Sequence, residues 1–443
     1  MGNHAIVASR VVAFTSVLAL AAGAMAQPAF MDLGAGHDSS AASAIDPSGA
    51  VIVGYIAQTA SDPGSPVKWT ADGTWVSLPL TSDYWAGGAS GISADGQTVA
   101  GTVYDATSYH AARPAIWSAQ GLTVLPTITG APPFLPMGPW AVTYGMSGNG
   151  ATLYGYGPPA SGPTWIDHAF RWTAATGTRD LGTLTQSPSG TYSAYSYGAS
   201  ADGSVIVGKS DVGVPTGPGS VSVVQHGFRW TAQGGMQDLG ALPGAMSSGA
   251  NAISADGAVI VGWSSLSGTA LGAHAVKWVG GGAAQDLGLP GEFQGATAYV
   301  ITPNGQVIAG TGTLAGSSTR HILVWSDAGV TDVNQYLASL GVDLGGLTLN
   351  VPGGISADGR VLVGTGMLNG KKHAWLIRLG ITPCNADLND DGVADQGDID
   401  YLINVVAGGE NPAGIDPDFN GDGVADQGDV DALVNVVAGG ACP

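Results

Sequence analysis

Basic residues are scarce in this chain. Its 443 residues include 13 Lys and Arg against 33 Asp and Glu, a formal charge of −20 at pH 7. No basic stripe is present, which argues against nucleic acid or an anionic membrane surface as a partner. Charged residues of both signs reach only 10%, well below the ~25% of ordinary soluble domains. Cysteine occurs only at Cys384 and Cys442. Long apolar runs are limited to "VVAFTSVLALAAGAMA" (11–26), which follows Arg10 and ends in Ala24-Met25-Ala26. A short apolar run with a small-x-small end predicts a secretory signal peptide over 1–26, not a membrane span. The mature chain is expected to begin near Gln27, outside the cell and without a membrane span.

Glycine, by contrast, is abundant at 72 residues, and 44% of residues are hydrophobic. The glycines follow no G-x-y period, so neither collagen nor disorder fits. A turn-rich all-β protein does.

One phrase recurs seven times. It reads "IDPSGAVIVG" (45–54), "ISADGQTVAG" (92–101), "MSGNGATLYG" (146–155), "ASADGSVIVG" (199–208), "ISADGAVIVG" (253–262), "ITPNGQVIAG" (301–310) and "ISADGRVLVG" (355–364). "GISAD" resembles part of a nucleophile elbow, but its fifth residue is Asp and an enzyme needs one nucleophile, not a series. Asp-Gly is a tight-turn dipeptide, and the β-branched run behind it predicts a hairpin turn feeding an inner strand. A period near 50 signals a repeat architecture. An aromatic strand follows each copy, such as "HAFRW" (168–172) or "HAWLI" (373–377). A "DLG" segment then follows, clearest at 180–182, 238–240 and 286–288. Each unit thus offers about four short strands, the content of one propeller blade.

A stray "MDLG" (31–34) precedes the first unit, and the seventh unit lacks its own. A ring closed by its N-terminal strand needs that displacement, and a linear stack does not. The prediction is an all-β, seven-bladed β-propeller over 27–380. The recurring Trp69, Trp117, Trp172, Trp230, Trp278 and Trp325 are expected between blades. His168, His226, His274, His321 and His373, one per blade, read as a structural hydrogen-bond position rather than a metal or acid–base site. On these motifs the chain resembles the secreted HAF-repeat proteins, named for the "HAF" at 168–170. The resemblance implies the fold and carries no assigned reaction.

The last 60 residues obey different rules, with 13 acidic residues and no Lys or Arg. "DLNDDGVADQGD" (387–398) and "DFNGDGVADQGD" (418–429) repeat at an offset of 31. Alternating oxygen side chains around a Gly bend suit Ca²⁺, which takes six to eight oxygens. The predicted ligands are Asp387, Asn389, Asp391, the Val393 carbonyl, Asp395 and Asp398. In the second loop they are Asp418, Asn420, Asp422, the Val424 carbonyl, Asp426 and Asp429. Ile399, Leu402, Ile403 and Val406 then fall at helical spacing, as do Val430, Leu433, Val434 and Val437. No helix is predicted before either loop.

Duplicated loop-plus-exit-helix units over 384–443 resemble a type I dockerin of the cysteine-flanked "GC" variant. That resemblance implies a small α-helical Ca-binding domain and a Cys384–Cys442 disulfide in an oxidising compartment. It also implies recognition of a cohesin-like or cell-surface anchoring protein through Gln396-Gly397 and Gln427-Gly428. Ala394 and Ala425 depart from it, since dockerins usually carry Ile or Val there.

The leading expectation is a secreted, non-catalytic propeller that presents a binding or structural surface and is anchored by the calcium-stabilised module. The alternatives are a polysaccharide-acting hydrolase or lyase and a lectin-like binder of extracellular glycan. An enzyme would need a pair of acids outside the repeat, and Asp83, Asp105, Asp167, Asp211 and Glu292 are the candidates. A lectin would use the aromatic stretches at 82–88, 133–145 and 163–168.

Overall fold

The computed structural model describes residues 29–438 apart from 60–61, 63, 107–110, 129–139, 160–165, 186–190, 218–219, 266–271, 380–385, 390, 392, 414, 416 and 420–423. The leader (1–26), Cys384 and Cys442 lie outside the described residues.

Seven four-stranded antiparallel sheets make the ring. The chain opens with β1 (Ala29–Asp32). Blade one is β2 (Ser39–Ile45), β3 (Val51–Ala57), β4 (Ser65–Thr70) and β5 (Trp75–Ser77). Blade two is β6 (Tyr84–Ile92), β7 (Val99–Asp105), β8 (Ala112–Ser118) and β9 (Gly121–Val124). Blade three is β10 (Val142–Met146), β11 (Thr152–Gly157), β12 (His168–Thr173) and β13 (Gly177–Asp180). Blade four is β14 (Ala194–Ala199), β15 (Val205–Gly217), β16 (Ser220–Thr231) and β17 (Gly235–Asp238). Blade five is β18 (Ser247–Ile253), β19 (Val259–Ser265), β20 (His274–Val279) and β21 (Gln285–Asp286). Blade six is β22 (Phe293–Ile301), β23 (Ile308–Leu314), β24 (Arg320–Ser326) and β25 (Gly329–Asp332), followed by a short helix, α1 (Val333–Ser339).

Blade seven is β26 (Thr348–Ile355), β27 (Val361–Leu368) and β28 (Lys371–Arg378), completed by β1. The register runs from Ala29 opposite Arg378 to Asp32 opposite Trp375. The N-terminal strand therefore covers the edge that β28 would otherwise expose. The protein is a closed seven-bladed β-propeller.

The repeated phrase does not feed the inner strand, as its sequence suggested. It ends the innermost strand, makes the turn and supplies the second strand; "ISADGAVIVG" spans the end of β18 and the start of β19. Its final glycine sits opposite a β-bulge in every inner strand, as Gly262 does opposite Ala250 at the Ala250/Ala252 bulge. A Cβ on Gly262 would stand 1.9 Å from the Gly249 carbonyl oxygen, and one on Gly54 would stand 1.9 Å from that of Ala41. No side chain fits where the bulged backbone leans over the second strand.

The turn also links blades. Ser93 Oγ accepts from the Thr98 N–H at 2.9 Å, and Gly96 adopts φ +68°. Outside this internal bracing, the Ala94 N–H donates to the Gly148 carbonyl in the next blade. Asn149 donates to Ala201, Ala201 to Ala255, Ala255 to Pro303, and Ala357 to Pro47 across the ring closure. The phrase recurs because one turn must both reverse the chain and bond its neighbour.

The core lies between blades. Trp117 packs with Val53 of blade one, Trp325 with Val261 of blade five, and Trp69 with Val363 of blade seven. Trp69, Trp278 and Trp375 are fully buried, whereas Trp172 and Trp230 are half-buried. Truncating a buried one to Ala should cost about 3–5 kcal/mol.

The C-terminal part forms α2 (Gln396–Val406) and α3 (Gln427–Val437), each started by a capping box, Asp395 with Asp398 and Asp426 with Asp429. Leu388, Ile399, Leu402, Phe419, Val430 and Leu433 form its core. Ile403 and Val434 are 47% and 43% exposed. Among the described residues each helix has one neighbouring helix, so the third member of each predicted stripe falls outside the contact, whereas Val406 and Val437 pack against the core. No helix among the described residues is long and apolar enough to cross a membrane.

Candidate functional site

Each bulge pushes one extra residue out of the ladder and into the central channel. These residues are Ser43 and Ser90 in blades one and two, then Tyr144 and Tyr197, then Asn251, Tyr299 and Gly353. All seven line the channel. They occupy one equivalent position, two residues before the Ile, Met or Ala that starts the repeated phrase. Here the repeats stop agreeing. The surrounding sequence is held fixed by the fold, and this position is not.

The channel has two chambers. One, of about 330 Å³, reaches the ring of turns at Pro47, Ala94, Gly148 and Ala201. The other, of about 350 Å³, opens among Tyr144, Tyr197, Lys209, Asn251, Trp263 and Tyr299. Among the described residues neither lining contains Asp, Glu or His.

Beside the second chamber the tyrosines of blades three and four form a continuous aromatic surface. Ring centroids lie 5.1 Å apart for Tyr144–Tyr197, 5.2 Å for Tyr144–Tyr156 and 5.2 Å for Tyr156–Tyr195. Tyr195 and Tyr197 stack at 6.4 Å and 6°. Burial, reinforced by neighbouring charge, pushes the Tyr197, Tyr195 and Tyr156 hydroxyls well above the usual phenol range. They stay protonated, so they can donate hydrogen bonds and cannot act as bases near neutral pH. Lys209 Nζ lies over the Tyr195 ring at 5.4 Å and the Tyr197 ring at 6.0 Å, and burial lowers its pKa.

The off-repeat acids stay outside this lining. Asp167 accepts from Tyr195 Oη at 2.8 Å; burial raises its carboxyl, and that bond partly opposes the rise. Asp211 accepts from the Ser193 N–H at 2.9 Å. The two carboxylates thus flank the start of β14. Asp83 and Asp105 flank Tyr84 instead, where both raise its pKa behind the larger effect of burial. The Glu292 carbonyl accepts from Ala315. Of the predicted aromatic stretches, 82–88 runs from a turn into β6 at Tyr84, and parts of 133–145 and 163–168 lie outside the described residues.

The repeated histidines are bonded to the repeated "DLG" aspartates. His168–Asp180, His226–Asp238, His274–Asp286 and His321–Asp332 meet at 2.6–2.9 Å. Blades one and two lack the pair: register places Ser65 and Ser77, then Arg113 and Val124, at the equivalent positions. Each aspartate also accepts a backbone N–H two residues on, as Asp180 does from Gly182 at 2.7 Å.

In the first C-terminal loop, the Asp391 N–H donates to Asp387 Oδ1 at 3.1 Å and Asn389 Oδ1 at 2.9 Å. Asp391 Oδ1 accepts from Val393, and Asp395 Oδ1 from Gly397. Asp398 is fully buried and accepts from the Leu388, Asn389 and Asp395 N–H groups at 2.6–2.9 Å. Asp429 is equally buried and accepts from Asp426 at 2.7 Å. Asn420 and Asp422 lie outside the described residues. Among the described residues no three His, Cys, Asp or Glu side chains are grouped closely enough to hold a metal ion. Asp387 and Asn389 thus both turn a side-chain oxygen toward the Asp391 N–H. Gln396 and Gln427 are exposed on the first helical turns, each bonded to an Asp one turn on, with Gly397 and Gly428 half-buried beside them.

Neither a known family model nor a curated protein matches the sequence. Solved structures do match in fold. An oligogalacturonate lyase from Vibrio parahaemolyticus superposes with a TM-score of 0.50 at 9% identity, over 79% of this chain and 93% of that one. The β-propeller domain of the trilobed protease from Pyrococcus furiosus gives 0.47 at 10%, over 80% and 99%.

Proposed function

We propose that the protein is a secreted, non-catalytic binding propeller, held outside the cell by its C-terminal module, and that its ligand enters the channel mouth. One observation carries this reading. At the bulge position of each blade, which lines the channel, the repeats diverge to Tyr, Tyr, Asn and Tyr across blades three to six. Trp263 and Lys209 stand beside them, and among the described residues no carboxylate does. Aromatic faces with a few polar groups suit ligand recognition. A glycan is the class proposed, because pyranose rings stack on such faces.

The anchoring half rests on the sequence resemblance to dockerins, the oxygen-only donor set of the two loops and the exposed Gln396 and Gln427. Ca²⁺ would be held by Asp387, Asn389, Asp391, the Val393 carbonyl, Asp395 and Asp398, and by the equivalents in the second loop. Bound there, it would neutralise the clustered carboxylates. The partner would be a cohesin-like or cell-surface protein.

A second reading, a polysaccharide-acting enzyme, has Asp167 and Asp211 behind it. They flank one strand, and Asp167 is biased toward its protonated form, as a general acid would be. The test is a screen of the full chain against soluble glycans for both binding and chain cleavage. Binding without turnover, lost in Tyr144→Ala and Tyr197→Ala, is expected. Turnover abolished by Asp167→Asn would overturn the non-catalytic reading.

A further inference from the structure

In its chemistry Lys209 is unlike the rest of the channel. It follows Gly208 on β15, and its half-buried ammonium lines the 350 Å³ chamber. Among the described residues no carboxylate lies within ion-pair distance of it, and it donates no hydrogen bond. The acid that bears on it is Asp211, two residues along the same strand face. Asp211 is already engaged, by the Ser193 N–H at 2.9 Å and by Gln225 Nε2 at 3.4 Å. What Lys209 has instead is aromatic: the rings of Tyr195 and Tyr197. A cation over a ring is attracted to its face, but that contact leaves three N–H donors unspent. Placing a cation half out of water without an anion is unfavourable unless something else supplies the anion.

The surroundings define the rest of that ligand. Tyr144, Tyr197, Trp263 and Tyr299 present ring faces and edges around one small space. Asn251 Nδ2 donates to the Ala298 carbonyl at 2.7 Å, which leaves its amide oxygen as an acceptor for a hydroxyl. The volume lies at the lower end of ligand pockets, enough for a terminal unit and not for a chain threading the ring. A hydroxylated ring with an apolar C–H face and one negative charge satisfies each of these groups.

We infer that the channel mouth binds the acidic terminal sugar of a glycan, a uronic acid residue, with Lys209 pairing its carboxylate and the tyrosines stacking on its ring. This rests on the binding reading above and narrows it to a charged ligand. The protein's own charge of −20 opposes the approach of long polyanions. Recognition therefore depends on one short-range pair, which salt screens weakly once buried.

The experiment is calorimetric titration of the full chain with a short oligouronate, with its neutral hexose counterpart and with a sulfated oligosaccharide. Wild type should bind the oligouronate most tightly. Lys209→Met, close in length and uncharged, should weaken that binding roughly ten- to hundred-fold, the effect of losing a charged hydrogen bond. It should weaken binding of the neutral sugar far less than that of the oligouronate. Lys209→Arg should retain most of the affinity and serves as the folded control should the Met variant prove unstable. Equal affinity for neutral and acidic sugars, or an oligouronate affinity untouched by Lys209→Met, overturns the inference and leaves the binding reading standing. A preference for sulfate over carboxylate also overturns it. Failure of the folded chain to bind any glycan overturns both.

Discussion

His373 and Asp32 lie 341 positions apart and meet at 3.1 Å, imidazole Nδ1 to carboxylate. The same pair occurs within blades three to six over 11 or 12 residues, so in blade seven a local clasp has become the joint between chain ends. Asp32 also accepts the Gly34 N–H at 2.8 Å, and Leu33 packs with Val363 and Leu376.

Removing residues 27–34 should leave β28 as a bare edge. We expect a fall in the unfolding midpoint and a shift toward oligomers in size-exclusion chromatography, because an unpaired strand templates pairing with another copy. Asp32→Asn keeps an acceptor for Gly34 but loses the charge facing His373. It should cost about 1 kcal/mol in a denaturant titration.

The glycine that ends each repeated phrase can be tested against glycines elsewhere. Gly262→Ala should destabilise by about 1–3 kcal/mol or prevent folding, since its methyl would meet the Gly249 carbonyl. Gly291→Ala should be near neutral, because nothing lies within 4 Å of its added carbon. Chemical denaturation of the two variants is the check.

The His226–Asp238 pair predicts a pH window. The hydrogen bond to Asp238 raises His226 above its ordinary 6.5, against the opposing effect of burial. Burial pushes Asp238 up, but the bonds from His226 and Gly240 leave it below its ordinary 3.8. The histidine contribution is full below 6.5 and fades as pH rises through the elevated folded value. The aspartate contribution is present above 3.8 and fades as pH falls through the depressed one. Wild type should therefore exceed His226→Gln in stability most clearly between about pH 4 and 6.5. A difference that grows at alkaline pH would contradict the assignment.

In the C-terminal module Asp398 is buried with three backbone donors. Asp398→Ala should unfold α2 or cost roughly 3 kcal/mol, because three N–H groups lose their acceptor. Ca²⁺ should raise the module's melting transition in wild type, EDTA should reverse the rise, and the variant should respond to neither.

Much of the fold was legible in the sequence because a ring of equal blades repeats its constraints. The turn, the buried Trp, the final Gly and the displaced "MDLG" each mark a place where packing allows few residues. The candidate site was harder to read for the opposite reason. Tyr144, Tyr197, Asn251 and Tyr299 share one alignment column, two residues before the phrase, and that column is variable because the bulge frees it from the ladder. Lys209 follows the phrase's final glycine, and only the third dimension places it beside those rings. The His–Asp pairing was likewise hidden, since its partners belong to separate motifs. Helix α1 was not predicted: Asp332, the blade-six partner of His321, also caps it.

Ring closure is tested most directly by hydrogen–deuterium exchange of the full chain, followed peptide by peptide. The Met31 and Leu33 amides, which face β28, should be protected along with the amides of Lys371–Arg378, because they share one ladder. Exchange of the 29–34 segment within seconds, with 371–378 left half-protected, would mean an open ring and would contradict the account.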